Sequence, residues 1–214
     1  MRHILMPEFV KVINEQGIEP EVIMDLGCLD ARDALFLKNT YPQAVTYAIE
    51  GSPASYSKFK DNKNIVPIHA VVGSYDGLSK YHIKHPSGIN GIYDRGKSFG
   101  NTVLELPCYK LKTIMNKFGI AHIDVLKIDV EGATFDILLG LEDYIHKIKI
   151  MHIETETKEF FKGQKLEPMV FDHLKKSGYE MILKRWAYGN KNEQNDSIWI
   201  NRHYNKETIC ETSS

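Results

Sequence analysis

The run Val125-Leu-Lys-Ile-Asp-Val-Glu-Gly-Ala133 combines apolar residues with three charged side chains and a glycine. Its apolar residues predict a buried strand, and the helical spacing of apolar residues after Gly132 predicts a turn and then a helix. The run therefore brings Lys127, Asp129 and Glu131 to the carboxyl end of a strand. Because ligands bind at that end of the strands in open α/β sheets, the run predicts both the fold class and the position of a site.

The composition predicts one soluble domain. The chain has 214 residues, is 43% hydrophobic and carries a formal net charge of -1, so it offers no general basic surface for nucleic acid or an anionic membrane. Cys28, Cys108 and Cys210 form no CxxC pair, which predicts a reducing, cytoplasmic setting. No segment approaches the roughly 20 apolar residues of a membrane span. We expect a single domain over residues 1–204 and a disordered tail over residues 205–214.

Short apolar runs alternate with helical patterns, which predicts parallel strands joined by right-handed crossovers. The predicted strands are residues 22–24, 44–49, 65–72, 125–128, 149–153, 180–183 and 197–200. The predicted helices are residues 6–16, 31–40, 53–61, 109–118, 134–146 and 167–177. The last two strands are joined by a segment too short for a crossover helix, so they should form an antiparallel hairpin. Residues 80–107 have no sustained periodicity and are predicted to be a long functional loop.

The first two predicted strands end in residues suited to a nucleotide. Asp25-Leu-Gly27 is typical of a strand entering a tight turn where a ligand approaches the backbone, although a glycine after a strand is common and GxGxxG is absent. Glu50 ends the next strand, at a separation that suits the hydroxyls of an adenosine ribose. Alternatively, Glu50 lies near a helix start at Ser52, where the helix dipole favours an acid. Two residues of the third strand, Ala70 and Val71, suit an adenine pocket or plain core packing.

Several of these segments together carry a resemblance to a known family: Asp25-Leu-Gly27, Ile49-Glu50, Lys112-Thr-Ile-Met115, Ile123-Asp-Val-Leu-Lys-Ile-Asp-Val-Glu-Gly-Ala133 and His152-Ile-Glu154. Over roughly residues 20–160 the chain resembles the FkbM family of S-adenosylmethionine-dependent methyltransferases. The resemblance implies a Rossmann-like class I methyltransferase fold. It has a mostly parallel seven-stranded sheet, an antiparallel C-terminal hairpin and helices on both faces. It also implies S-adenosylmethionine as the cofactor.

The predicted cofactor site combines the strand ends with positions carried over from the family. Its residues are Asp25, Gly27, Cys28, Asp30, Glu50, Gly51, Ser52, Ala70, Val71 and Asp129. The chain departs from the family pattern at Gly27-Cys-Leu-Asp-Ala31, where the family usually has Gly-Ala-Asn-x-Gly. Gly51 replaces a common proline, and Thr134 stands where Glu is frequent.

Methyl transfer to an alcohol becomes easier when a base removes the hydroxyl proton. Asp129 is the first choice for that base, followed by Glu131 and Glu154. Lys127 would neutralise Asp129 or hold the substrate oxygen, or else form a structural ion pair with a buried carboxylate. In a second version of the mechanism, Asp129 and Glu154 hold Mg²⁺ or Ca²⁺, which prefer oxygen ligands.

The predicted acceptor residues come from the 80–107 loop and the C-terminal hairpin: His85, Asn90, Tyr93, Arg95, Trp186 and Tyr188. Aromatic, amide and guanidinium groups suit a sugar ring. With the family resemblance, they imply an O-methyltransferase for a hydroxyl of a sugar, glycan or glycosylated small molecule, with no nucleic-acid partner.

Two other functions fit parts of the sequence. A Rossmann-type NAD-dependent oxidoreductase would use Glu50 on the ribose, but it normally has GxGxxG and a Tyr-x-x-x-Lys pair. A non-catalytic cofactor-binding module would explain the departures at Asp30, Ala31 and Thr134.

Overall fold

Ten strands and six α-helices are present in the computed structural model, which describes residues 4–100, 102–187 and 192–204. The strands are β1 (Val22–Leu26), β2 (Val45–Glu50), β3 (Val66–His69), β4 (Val71–Gly73), β5 (Gly77–Ile83), β6 (Thr102–Lys110), β7 (Ile123–Ile128), β8 (Ile148–Glu156), β9 (Tyr179–Trp186) and β10 (Gln194–Asn201). The helices are α1 (Met6–Glu15), α2 (Arg32–Thr40), α3 (Pro53–Tyr56), α4 (Leu111–Phe118), α5 (Thr134–Leu141) and α6 (Glu167–Lys176).

The central sheet has seven strands in the order β3-β2-β1-β7-β8-β10-β9. Strands β1, β2, β3, β7 and β8 pair in parallel, whereas β10 is antiparallel to both of its neighbours. The strand order reverses between β1 and β7, which leaves a crevice outside their carboxyl ends. This arrangement confirms the predicted mostly parallel sheet with an antiparallel C-terminal hairpin.

A second sheet, with the order β4-β6-β5, corrects two predictions. Residues 65–72 do not form one strand, because the chain leaves the central sheet at Ala70 and continues as β4. Residues 80–107 are not one long loop, because β5 and β6 pair antiparallel and only their connection is irregular. The pattern was hard to read in β6 because Val103 is 45% exposed, which departs from the usual placement of apolar residues.

Three predicted helices differ from the structure by two residues or more at one end, and the other three differ by a single residue. The helix predicted over residues 53–61 ends at Tyr56, and the one predicted from residue 109 begins at Leu111 because β6 extends to Lys110. The helix predicted over residues 134–146 ends at Leu141 and continues as the 3₁₀ helix Glu142–Lys147. Glu142 has a φ of 51°, which an α-helix does not tolerate.

Helices cover both faces of the central sheet. All six residues of β7 are buried, as expected for a strand covered on both faces. Val125 belongs to the core cluster that contains Phe9 of α1, and its neighbour Leu126 belongs to the cluster that contains Leu138 of α5. Successive strand residues point to opposite faces, so β7 joins the two halves of the core.

None of the helices within the described ranges has both the length and the apolar character that a membrane crossing requires.

Candidate active site

Two cavities lie at the carboxyl ends of the central strands. The first encloses about 120 Å³ and the second about 360 Å³. Six of the ten predicted cofactor residues line the first cavity: Gly27, Glu50, Gly51, Ala70, Val71 and Asp129. The other four lie around it rather than in its wall. Asp25 and Cys28 are buried, Asp30 pairs with Arg32, and Ser52 caps α3.

Gly27 brings the first loop against the end of β7. A Cβ atom on Gly27 would lie 1.9 Å from the backbone oxygen of Asp129, and the φ of Gly27 is 75°. Both facts require glycine here. Ala31, where the family usually has a second glycine, nevertheless adopts the left-handed conformation with a φ of 60°. The loop thus has the backbone shape of a glycine-rich turn even though residue 31 is alanine.

Glu50 connects the first loop to the ends of β2 and β5. Its Oε2 accepts a hydrogen bond from the Leu29 N–H at 2.8 Å, and its Oε1 accepts from the Ser52 N–H at 2.7 Å and the Tyr81 hydroxyl at 3.4 Å. Burial raises the pKa of Glu50, and these donors oppose the rise. Each carboxylate oxygen has two acceptor sites, so Glu50 retains capacity for a ligand hydroxyl.

Lys127 lies between three carboxylates. Its Nζ is 3.1 Å from Asp129 Oδ2, 3.3 Å from Asp33 Oδ2 and 3.4 Å from Asp25 Oδ1. Burial alone lowers the pKa of Lys127, but the three carboxylates raise it well above its ordinary value. Burial raises the pKa of Asp25 to about 6, although Lys127 opposes this shift. The geometry matches the structural ion pair that the sequence left open as a role for Lys127.

Asp129, Glu131 and Glu154 form an acidic cluster at the ends of β7 and β8. Carboxylate oxygens of all three lie within 4.8 Å of one another. Burial raises the pKa of Glu131, and the charges of Asp129 and Glu156 raise it further. The pKa of Glu154 is also raised, first by burial and then by the neighbouring acids.

The second cavity shares Gly88, Asp129 and Glu131 with the first. Its remaining wall comes from the N-terminal segment, α2, the end of β7, and polar residues of β8 and β10: Ile4, Leu5, Met6, Asp33, Lys127, Ile128, His152, Glu154 and Asp196. A group bound in one cavity therefore lies next to a group bound in the other, with carboxylates at the junction.

The structure brings together some of the predicted acceptor residues but not all. Asn90 lines the first cavity, and Arg95 NH1 lies 3.6 Å from Glu131 Oε2. Tyr93 donates a hydrogen bond to Asp136 at 2.8 Å. His85 is exposed, and Trp186 packs under Lys184; neither borders the two cavities. Tyr188 lies outside the described residues.

Glu154 was predicted from the sequence, but His152, Asp196 and the segment at Ile4–Met6 of the second cavity were not. His152 and Glu154 are two residues apart on β8, so their side chains share a face of the sheet. This spacing was visible in the sequence and could have pointed to His152. Asp196 follows from the pairing of β10 with β8, where it stands opposite Glu154. The segment at Ile4–Met6 reaches the cavity through tertiary packing and left no motif in the sequence.

Solved structures with the same fold bind S-adenosylmethionine. Magnesium protoporphyrin IX methyltransferase from Synechocystis PCC 6803, solved with this cofactor, matches with a TM-score of 0.52 and 10% identity, over 92% of this chain and 77% of that one. Fibrillarin from Aeropyrum pernix, also solved with it, matches with a TM-score of 0.50 and 12% identity, over 84% and 66% of the two chains. The fold is that of the class I S-adenosylmethionine-dependent methyltransferases.

The particular family follows from the sequence of the domain. Residues 30–181 match the methyltransferase FkbM domain, and the chain therefore belongs to the FkbM methyltransferase family. This membership confirms the resemblance noted in the sequence and favours a methyltransferase over an NAD-dependent oxidoreductase.

Curated relatives carry methyltransferase names. The 2-O-methyltransferase NoeI of Sinorhizobium fredii is 22% identical over 161 residues, which cover 67% of this chain and 66% of NoeI. Methyltransferase sdnD of Sordaria araneosa is 24% identical over 202 residues, covering 77% and 76%. Methyltransferase 1 of Beauveria bassiana is 27% identical over 146 residues, covering 56% and 58%. The chain thus spans less than two thirds of the length of NoeI and of the Beauveria protein.

Proposed function

We propose that this protein is an S-adenosylmethionine-dependent O-methyltransferase that acts on a hydroxyl of a sugar, glycan or glycosylated small molecule. The observation that carries the proposal is the meeting of the two cavities at Asp129 and Glu131. A methyl donor in the first cavity and an acceptor in the second would face each other across these carboxylates. The name of NoeI supports oxygen as the accepting atom.

The first cavity has features that fit the cofactor. Gly27 lets the first loop approach the β7 backbone closely, and Glu50 retains one carboxylate acceptor site for a ribose hydroxyl. When bound, S-adenosylmethionine supplies a methyl group on a positively charged sulfur. The protein's task is then to align the acceptor oxygen and to take up its proton.

Asp129 is the residue we propose for that proton. It lines both cavities, and its Oδ2 is held by Lys127 at 3.1 Å while its side chain is 42% exposed. Lys127 is thus a positioning residue. Its ammonium group fixes the carboxylate of Asp129, and part of the Asp129 side chain stays exposed to the cavities. Glu131 and Glu154 border the second cavity and are the alternatives for the same role.

The second cavity has a lining that fits a sugar. Ile4, Leu5 and Met6 supply apolar contacts, and His152 and Asp196 supply polar ones. A pyranose ring has an apolar face and a rim of hydroxyls, which matches such a mixed wall. The volume of about 360 Å³ is typical of a small-molecule site. A small-molecule or glycan acceptor, the absence of a nucleic-acid partner and a cytoplasmic location all remain predictions.

A screen of simple glycosides and sugar nucleotides with methyl-labelled cofactor tests the acceptor class. We expect label to appear on a sugar oxygen of at least one glycoside, as located by mass spectrometry and NMR. Label on nitrogen or carbon, or transfer confined to compounds without a sugar, would contradict the proposal.

The Asp129→Asn substitution tests the proton acceptor. Loss of a positioned general base should lower turnover by about 10² to 10⁴-fold, with the affinity for S-adenosylhomocysteine largely retained. Asp172→Asn, on the exposed side of α6, is the matched control and should behave as the wild type. Unchanged turnover in Asp129→Asn would remove Asp129 from this role.

A further inference from the structure

We propose that Asp129, Glu131 and Glu154 together bind one divalent cation at the junction of the two cavities. The sequence pointed to two of these residues, and the structure adds Glu131 as a third ligand. The use of the cation in methyl transfer rests on the proposed function, whereas its binding does not.

The spacing of the carboxylates fits a cation without movement of the backbone. Ligand oxygens from the three residues lie within 4.8 Å of one another. Two oxygens on opposite sides of Ca²⁺ are separated by about 4.6–5.2 Å, and by about 4.0–4.2 Å around Mg²⁺. Because 4.8 Å is an upper limit on these separations, the three oxygens are compatible with coordination of either cation.

The strand register is what assembles these ligands. Ile128 of β7 pairs with Ile153 of β8, so the residues that follow, Asp129 just beyond β7 and Glu154 within β8, lie side by side. Glu131 lies two residues beyond Asp129, in a turn where its own φ is 47°. Asp129 and Glu154 from two adjacent strands and Glu131 from the turn thus bring their carboxylates close together.

Buried polar atoms in and beside the cluster make no hydrogen bond within the part of the chain that the structure describes, although Glu131 Oε2 forms an ion pair with Arg95. Glu131 Oε2 and Glu156 Oε1 are inaccessible to water and make no hydrogen bond there, and Glu156 is only 2% exposed. His152 borders the same cavity, is 5% exposed, and its Nδ1 also makes none. A buried polar group without a hydrogen-bond partner is destabilising. These atoms indicate a ligand that the protein itself does not supply.

The positive charge nearby does not balance the acids. Lys127 is shared with Asp25 and Asp33, and the guanidinium of Arg95 lies 3.6 Å from Glu131. The cluster therefore lacks positive charge that a divalent cation would supply.

A cation at this position has a clear chemical use. A hydroxyl bound to a divalent cation loses its proton more readily, and a sugar hydroxyl is otherwise only weakly acidic. The second cavity opens directly beside the three ligands, so an acceptor oxygen there would come within reach of the cation.

Manganese binding to the full chain tests the site. After treatment with EDTA and dialysis, titration with Mn²⁺ followed by electron paramagnetic resonance should show one ion per chain, displaced by Ca²⁺ and Mg²⁺. Glu131→Gln and Asp129→Asn should each weaken Mn²⁺ binding about tenfold or more, because each removes a charged ligand. Glu105→Gln, an exposed position on β6, is the matched control and should bind Mn²⁺ as the wild type does.

The proposal fails if the wild type binds no stoichiometric Mn²⁺ below about 1 mM, or if both cluster variants bind it normally. Calorimetry with S-adenosylhomocysteine, in EDTA, checks that each variant is folded and retains the cofactor site. Methylation of a glycoside in EDTA would overturn the catalytic use of the cation and leave the O-methyltransferase intact. Mn²⁺ binding without transfer to any glycoside would support the site and count against the acceptor class.

Discussion

At the scale of single residues, the site is organised by Lys127. Asp25 of β1 stands opposite Lys127 of β7 in the parallel register, and Asp129 follows two residues later on the same face. The ammonium group therefore meets both carboxylates because of strand pairing rather than through a flexible loop. Breaking such a buried pair leaves an uncompensated charge, which makes Lys127 a structural requirement for the catalytic edge.

Gly27→Ala should abolish cofactor binding. The new Cβ would meet the Asp129 backbone at 1.9 Å, and the φ of 75° adds strain. Gly119 provides a matched control because its φ is 65° but nothing lies within 4 Å of its Cβ position. Gly119→Ala should lower the free energy of unfolding by about 1 kcal/mol and leave binding of S-adenosylhomocysteine unchanged. Equal calorimetric affinities for the two variants would contradict this account of Gly27.

Asp25→Asn should change the pH dependence of stability. The folded pKa of Asp25, about 6, lies above the unfolded value of about 3.9, so its protonated form is favoured by folding. Its stabilising contribution is present below pH 4 and is lost as the pH rises through 6. Relative to the wild type, Asp25→Asn should therefore gain about 2–3 kcal/mol between pH 4 and pH 8 in urea unfolding with EDTA.

Asp124→Asn should change the pH dependence of stability in the opposite direction, in the same urea unfolding measurement. Burial of Asp124 would raise its pKa, but His122 and the N–H groups of Glu21 and Val22 hold it below the ordinary value. The contribution of Asp124 is lost as the pH falls, so this variant should be most destabilised at neutral pH and least in acid. Parallel profiles for the two variants would contradict both assignments.

At the scale of elements, the connection between β5 and β6 closes the site. Gly88 borders both cavities, and Asn90 borders the first. Lys84, at the start of this connection, is 2% exposed, and its Nζ donates to Asp94 Oδ1 at 2.7 Å and to the Gly100 carbonyl at 2.8 Å. One buried lysine thus ties both ends of the connection over the cavities.

Lys84→Met should loosen this connection. Loss of the ammonium group leaves buried acceptors unpaired, with an expected destabilisation on the order of 2 kcal/mol. Trypsin should then cleave faster after Arg95 and Lys97, and S-adenosylhomocysteine should bind more weakly. Lys80→Met, an exposed position on β5 just before this connection, is the control for losing a nearby lysine. Unchanged cleavage at Arg95 would show that the connection is held by other contacts.

At the scale of the whole molecule, the sheet order places both cavities at the switch between β1 and β7. The first half of the sheet supplies Gly27, Glu50 and the segment at Ala70 to the first cavity, and the second half supplies Asp129, Glu131 and Glu154 to the second. A ligand that bridges these halves stabilises the folded state only, so its binding should raise the thermal midpoint.

S-adenosylhomocysteine at about 100 times its dissociation constant should stabilise the protein by about 2.7 kcal/mol. For a domain of this size the corresponding rise in Tm is about 5–11 °C. NAD at the same concentration should leave Tm unchanged, as should S-adenosylhomocysteine with the Gly27→Ala variant. A shift with NAD alone would favour the oxidoreductase, and no shift with either ligand would favour a domain that has lost cofactor binding.

The sequence by itself determined the parallel sheet and the edge at which the site lies. Asp129 and Glu154 were predictable neighbours because the carboxyl ends of adjacent parallel strands meet, and a period of two residues sets their common face. The departure at Ala31 was also visible, although its left-handed backbone was not. These features depend on local spacing along the chain, and local spacing can be read directly.

Tertiary structure alone decided which residues enclose the cavities. The segment at Ile4–Met6, Asp196 of β10 and the connection after Lys84 reach the site from distant parts of the chain. Their contacts carry no periodic signal, because packing between remote segments depends on the final geometry of the sheet. The addition of Glu131 to Asp129 and Glu154 arose in the same way, from a turn whose direction is set by the folded backbone.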